Sequence, residues 1–225
     1  MKIKYSYLIL KTDRPVKESS IKLRGYFGNR FPDYPILHHH LEEAGYMYTY
    51  PLVQYHILEG NPCLLGIEDG GNVLLEISSQ IENLILANNV YQVEERVLHQ
   101  KEFDIKIGPK TQYSFITPWI ALNSKNYDKY QNMRSWKDKK IFLNNILIGN
   151  ILSMCKGLGI IVNRKLYVNS HLEEEMVDFK GISLTGFMGK FLLNFEIPDF
   201  FGLGKGVSQG FGSVKRSADA DSGDL

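Results

Sequence analysis

An α+β fold made of two similar halves is what this sequence predicts, and three observations predict it. Segments that alternate polar and apolar residues are interleaved with segments of helical periodicity. The order strand, helix, two strands, helix, strand runs through the first half and starts again near residue 111. A chain of 225 residues can bury a core as one large domain or as two of about 100 residues each.

The elements follow in order. Residues 2–11 alternate as a strand, and 15–30 form a helix with Ile21, Leu23 and Phe27 apolar. Two strand-like runs, Tyr48–Leu58 and Pro62–Glu68, are joined by Glu59-Gly60-Asn61 as a hairpin. From Val73 to Ala87 apolar residues recur at helical spacing (Leu74, Ile77, Ile81, Leu84, Ile85), and Val90–Ile107 is strand-like again. This is the ferredoxin-like order.

In the second half Tyr113–Leu122 reads as a strand, with Pro118 marking an edge or a bulge. Trp136–Leu158 is a long amphipathic helix, and Ile160–Asn169 and Val177–Phe195 are strand material. Between Phe195 and the next glycines there is room only for a short turn around Pro198. The second helix of this half is therefore expected to be shortened or missing. The expected organisation is one ferredoxin-like domain over 1–110, a second over 111–216, and a small, acidic, disordered tail over 217–225.

Charge is balanced, with 26 Lys+Arg against 25 Asp+Glu, so any nucleic-acid surface must come from local clustering. Two basic clusters exist, Arg14–Arg30 and Lys125–Lys140, and each alone reads as the solvated face of a helix. Cys63 and Cys155 stand far apart in apolar surroundings, as small core residues of a reduced protein. No signal-peptide core and no apolar run of membrane-spanning length is present, which predicts a soluble, cytoplasmic chain without a membrane partner.

The most specific motif lies near the end, where five of the eleven residues from Gly202 to Gly212 are glycine. Two Gly-apolar-Gly pairs, Gly202-Leu203-Gly204 and Gly210-Phe211-Gly212, flank a spacer that contains Lys205 and Gly206. Backbone N–H groups left open beside a lysine suit a phosphate chain. It is not a P-loop, because the Gly-Lys pair is followed by glycine where Ser or Thr is required. A glycine-rich surface loop without a ligand is the alternative.

This loop, together with Gly186-Phe187-Met188-Gly189-Lys190-Phe191 upstream and Leu23–Arg30 near the start, resembles the RAMP superfamily of CRISPR-associated RNA-binding proteins. Within it the likeness is to the endoribonucleases that cut CRISPR precursor RNA into guide units. The resemblance covers about residues 1–216 and rests mainly on the glycine-rich loop. It implies tandem ferredoxin-like (RAMP/RRM-like) domains and repeat RNA as partner. The residues themselves suggest no cofactor and no metal, since three adjacent histidines rarely converge on one ion and no acidic cluster resembles a two-metal site. Effector-complex proteins and a homodimer are further partners it allows. An RNA-binding role would fall to Gly202, Gly204, Lys205, Gly206, Gly210, Phe211 and Gly212 in the loop, with Arg24 and Arg30 on the first helix.

The candidate catalytic residues are in the run His38-His39-His40. Histidine is the side chain best matched to proton transfer near neutral pH. In an extended segment His38 and His40 share a face and His39 points away. The resemblance implies a catalytic histidine just after the first helix, so the role goes to His40 first and His38 second. A surface loop without chemistry is the bland alternative. His56, His99 and His171 stand alone and read as structural or exposed, and Tyr46, Tyr48 and Tyr50 as strand residues within reach of a phosphate or a base. RNA carries its own nucleophile, the 2′-hydroxyl, so a placed histidine suffices for cleavage without a metal. Three classes remain open on the sequence: a metal-independent endoribonuclease, a non-catalytic RNA-gripping subunit, and an interaction protein without RNA.

Overall fold

The structure is a computed structural model that describes residues 1–38 and 50–217. Its contacts divide the chain into two compact units. One comprises Lys2–Asp104 with Ser208–Gly210, and the other Met1, Ile105–Val207 and the chain from Phe211 onward.

In the N-terminal unit, β1 (Lys2–Thr12), β2 (Val53–Leu58), β3 (Asn61–Ile67), β4 (Asn83–Leu86) and β5 (Asn89–Asp104) form an antiparallel sheet in the order β2-β3-β1-β5-β4. Helices α1 (Ser20–Arg30) and α3 (Asp69–Ser78) and the four-residue α2 (Pro35–His38) complete it. The order β2-β3-β1-β5 is that of a ferredoxin-like sheet, and β4 is an added edge strand. Leu8, Leu10, Tyr55 and Leu64 from the sheet pack with Leu23 and Phe27 of α1 and Leu74 and Ile77 of α3 in one core. Pro62, the second residue of β3, fits because it stands at the strand's start, one residue beyond the Glu59-Gly60 turn, where both residues have positive φ.

In the C-terminal unit, β6 (Ile107–Trp119), β7 (Val168–Phe179), β8 (Ile182–Phe195) and β9 (Val214–Arg216) are ordered β7-β8-β6-β9. Helices α4 (Ser124–Asn132) and α5 (Trp136–Gly157) follow β6, and between β8 and β9 there is a three-residue 3₁₀ turn, Val207–Gln209. The second helix is thus missing here, as the short interval after Phe195 predicts. Stacked and tilted aromatics, Tyr113, Phe115, Trp119, Phe187 and Phe191, form the centre of this core. Helix α5 starts at a Ser135 cap that accepts from the Asp138 N–H at 3.4 Å. It ends in a Schellman turn, with Ile160 N–H donating to Cys155 O and Gly159 N–H to Lys156 O.

The structure corrects several sequence expectations. Helix α3 stops at Ser78, and Asn83–Leu86 is a strand with Leu84 and Leu86 buried and Ile85 exposed. A two-residue turn at Ala87-Asn88 pairs it with β5, and that pairing outweighs the helical spacing. The strand material expected over Val177–Phe195 falls in two strands, because Lys180 and Gly181 both take positive φ and reverse the chain. No strand covers residues 160–167, since β7 begins at Val168. Pro118 lies in a register irregularity between Phe115 and Trp119, and β6 is an inner strand rather than an edge.

Both cysteines are buried and unbridged, and burial pushes the Cys63 thiol up to about 11 and that of Cys155 to about 12. Among the described residues no helix is long and apolar enough to cross a membrane, and no cluster of His, Cys, Asp and Glu suits a metal ion.

Candidate active site and RNA interface

His38 is placed by α1, α2 and β2. Helix α1 buries Leu23 and Phe27, and Phe27 stacks on Phe31 at 6.0 Å and tilts against Tyr55 at 5.8 Å. Pro35 opens α2, a position where its missing N–H costs nothing. Two carbonyls at the end of α2 find side-chain donors. Tyr55 Oη donates to Leu37 O at 3.2 Å, and Arg24 Nη2 donates to His38 O. Burial pushes the Tyr55 phenol well above its usual pKa, so it remains a donor.

The half-buried His38 ring is seated against Gly28. A Cβ built on Gly28 would stand 2.8 Å from His38 Nδ1 and 2.9 Å from Cε1, so the ring occupies the space of the missing side chain. Gly28, a poor helix residue by propensity, is explained by this close approach. Arg24 braces the backbone of His38, and its Nε is buried with no partner among the described residues. Arg30 is exposed at the end of α1, its guanidinium 5.8 Å from the Phe31 ring centroid. His40 and His39, with Tyr46 and Tyr48, lie outside the described residues, and Tyr50 is buried.

The glycine-rich loop closes on itself. Leu203 N–H donates to Gly212 O, Lys205 N–H to Ile120 O and Gly212 N–H to Pro118 O, while Gly202 bridges Ser213. Gly204, Gly206, Gly210 and Gly212 all have positive φ, and a Cβ on each would meet protein atoms. At Gly204 these are the Trp119 indole at 2.6 Å, at Gly206 the Phe179 ring at 2.8 Å, and at Gly212 the Leu203 carbonyl at 2.0 Å. The glycines therefore answer to internal packing. What the loop offers outward is Lys205, exposed, with Nζ 4.8 Å from the Phe179 ring centroid. Lys180 stands 5.7 Å from the same ring, and Phe211 meets it edge-on at 5.6 Å. Phe179 and Lys180 were not singled out from the sequence, although Phe-Lys-Gly is a turn signal inside a long strand-like run.

The loop tip belongs with the N-terminal unit. Ser20 Oγ donates to Gln209 O at 2.5 Å, and a Cβ on Gly210 would lie 2.4 Å from the Tyr55 carbonyl. Tyr55 thus serves twice: its carbonyl abuts the tip, and its hydroxyl holds α2. Leu37, Arg24 and Gly210 meet around Tyr55, whereas Lys205, Gly206 and Phe211 group around Phe179.

Comparison with known proteins adds to this geometry. The family described as the Cas6b N-terminal domain matches residues 1–104, and the Cas6b C-terminal domain matches residues 106–217. An uncharacterized protein of Methanocaldococcus jannaschii is 43% identical over 143 residues, which span 63% of this chain and 97% of that protein. A crystal structure of Cas6b is 36% identical with a TM-score of 0.90, over 96% of this chain and all of that one. A second, described as a CRISPR RNA processing endoribonuclease Cas6b, is 34% identical with a TM-score of 0.78, over 96% of this chain and all of that one. A Cas6 product complex at 15% identity and a TM-score of 0.59, over 96% of this chain and 99% of that one, shares the fold. With both halves matched in sequence and 96% of the chain superposing on a Cas6b structure, this protein belongs to the Cas6b family.

Proposed function

We propose that this chain cuts CRISPR repeat RNA without a metal ion. The 2′-hydroxyl upstream of the cut attacks the adjacent phosphate, the bond to the 5′-oxygen breaks, and a 2′,3′-cyclic phosphate and a 5′-hydroxyl result. The observation that carries this reading is the bracing of His38. A histidine with its ring seated on Gly28 and its carbonyl held by Arg24 has the fixed placement that proton transfer demands. His40 takes the first catalytic role and His38 the second, one removing the 2′-hydroxyl proton and the other supplying a proton to the leaving 5′-oxygen. Arg24 acts by holding the segment. Arg30 and Lys205 meet phosphate oxygens, and Phe211 and the loop glycines shape the surface beside Lys205. The family supports repeat RNA as the substrate, because a 34% identical relative is described as a CRISPR RNA processing endoribonuclease. A second copy of the chain and effector-complex proteins are partners of the RNA-bound form.

The test is a single-turnover cleavage assay on labelled repeat RNA with and without EDTA. A second substrate carries one deoxyribose just upstream of the cut. Cleavage that persists in EDTA, and stops on the deoxy substrate while binding remains, is the expected result. His40→Ala is expected to slow cleavage about 100-fold or more with little loss of affinity. A metal requirement sinks the mechanism. Binding with no cleavage at all makes the chain a non-catalytic RNA-gripping subunit instead.

A further inference from the structure

Helix α2 is four residues long, too short to hold itself, because ordering one turn fixes many dihedral angles for few hydrogen bonds. Its last carbonyls are groups that a helix cannot satisfy internally, and here other elements supply the donors. Arg24 of α1 takes the carbonyl of His38, and Tyr55 of β2 takes that of Leu37 at 3.2 Å. The Tyr55 ring is fully buried and packs at 5.8 Å against Phe27, the neighbour of Gly28 in α1. Phenylalanine would fill that space as well, and a hydroxyl buried there is costly unless it is bonded. The Leu37 carbonyl is what the hydroxyl at position 55 is for.

Tyr55 also meets the tip of the glycine-rich loop. A Cβ on Gly210 would lie 2.4 Å from the Tyr55 carbonyl and 2.7 Å from Ser20 Oγ, so one loop position touches both β2 and the start of α1. Ser20 Oγ donates to Gln209 O at 2.5 Å and fastens the tip there. The two elements bridged in this way are those that brace His38: α1 supplies Gly28 and Arg24, and β2 supplies Tyr55.

We propose that Tyr55 is a positioning residue of the cleavage step, setting the place of His38 through α2, and that the tip of the glycine-rich loop holds Tyr55 in turn. The inference rests on the reading that His38 takes part in cleavage. Buried as it is, Tyr55 acts through His38 and not on the RNA. Without the hydroxyl, α2 loses one of its two donors and the imidazole leaves its seat on Gly28. A misplacement near 1 Å costs up to about 100-fold in rate.

The experiment is a double-mutant cycle on the full chain: parent, Tyr55→Phe, His38→Ala and the two together. Urea unfolding first defines conditions in which every chain is folded, so that lost stability is not read as lost rate. Single-turnover cleavage at saturating protein is then measured beside affinity for the uncleavable deoxy substrate. Tyr55→Phe is expected to cleave about tenfold more slowly with parental affinity, and to add nothing once His38 is alanine. Ser20→Ala loosens the tip without entering the core, and it should show a smaller loss of the same kind, again absent beside His38→Ala. A parental rate for folded Tyr55→Phe, or an equal loss in the His38→Ala background, overturns the role of Tyr55. A parental rate for Ser20→Ala removes the tip from the chain of support. If His38→Ala itself cleaves like the parent, the reading beneath fails and takes the inference with it.

Discussion

Replacing Gly28 by alanine separates the position of His38 from the stability of the helix that carries it. Gly28 sits inside α1 with an ordinary helical φ, so alanine fits the backbone and gains about 0.8–1 kcal/mol of helix propensity. The new methyl carbon, however, would lie 2.8 Å from His38 Nδ1 and 2.9 Å from Cε1. Ordinary carbon contacts begin near 3.5 Å, so the imidazole must retreat by roughly 0.6 Å or more. A displacement approaching 1 Å at a catalytic group costs up to about 100-fold in rate. The expectation is a chain as stable as the parent or slightly more so, binding repeat RNA normally and cleaving it ten- to a hundredfold more slowly. Urea unfolding, RNA affinity and single-turnover cleavage measured together check it. Parental cleavage by a folded Gly28→Ala variant would refute the claim that His38's placement matters and would leave the chemistry to His40.

Three further outcomes are expected. Gly210→Val combines a left-handed backbone at φ 86° with a Cβ 2.4 Å from the Tyr55 carbonyl, and should lose about 2–5 kcal/mol in urea unfolding; parental stability would show that the tip does not bear on Tyr55. His56 is fully buried with neither ring nitrogen paired among the described residues, and burial holds its pKa down at about 4. The unfolded chain takes up this proton first, so stability is complete above pH ~6.5 and falls by up to about 3 kcal/mol towards pH ~4. His56→Leu should flatten that window, and an unchanged slope in the variant excludes His56 as the cause. Lys205→Ala should leave stability within about 0.5 kcal/mol and reduce the salt slope of RNA binding by about 0.7. Binding equal to the parent at every salt concentration removes Lys205 from the interface.

What was legible in the sequence follows from which signals are local. The interval between Phe195 and Gly202 is too short for a helix, and the missing helix could be read by counting. Glu59-Gly60 announced a hairpin because turn chemistry is written in adjacent residues. Asn83–Leu86 was not legible, because Leu84 and Leu86 satisfy a strand while Leu84 and Ile85 extend a helical pattern; pairing with β5 decides. The glycines of the loop signalled backbone freedom correctly, but not that their neighbours would be Trp119, Phe179 and Tyr55. The Arg24 bond to the His38 carbonyl joins residues at a spacing no periodicity marks, so an arginine assigned to RNA appears as the brace of a histidine.

The bond from Ser20 to Gln209 links positions 189 apart in the chain. During synthesis the first ferredoxin-like half leaves the ribosome long before Gln209 and Gly210 exist, so its seat beside Tyr55 stays empty until residues 208–210 have been made. Contacts of such sequence separation form late, after the entropy of closing a long loop has been met. The support of α2 is thereby finished last. A nascent or truncated chain that stops before residue 208 carries all three histidines but lacks the tip that abuts Tyr55, which ties completion of this site to synthesis of residues 208–210.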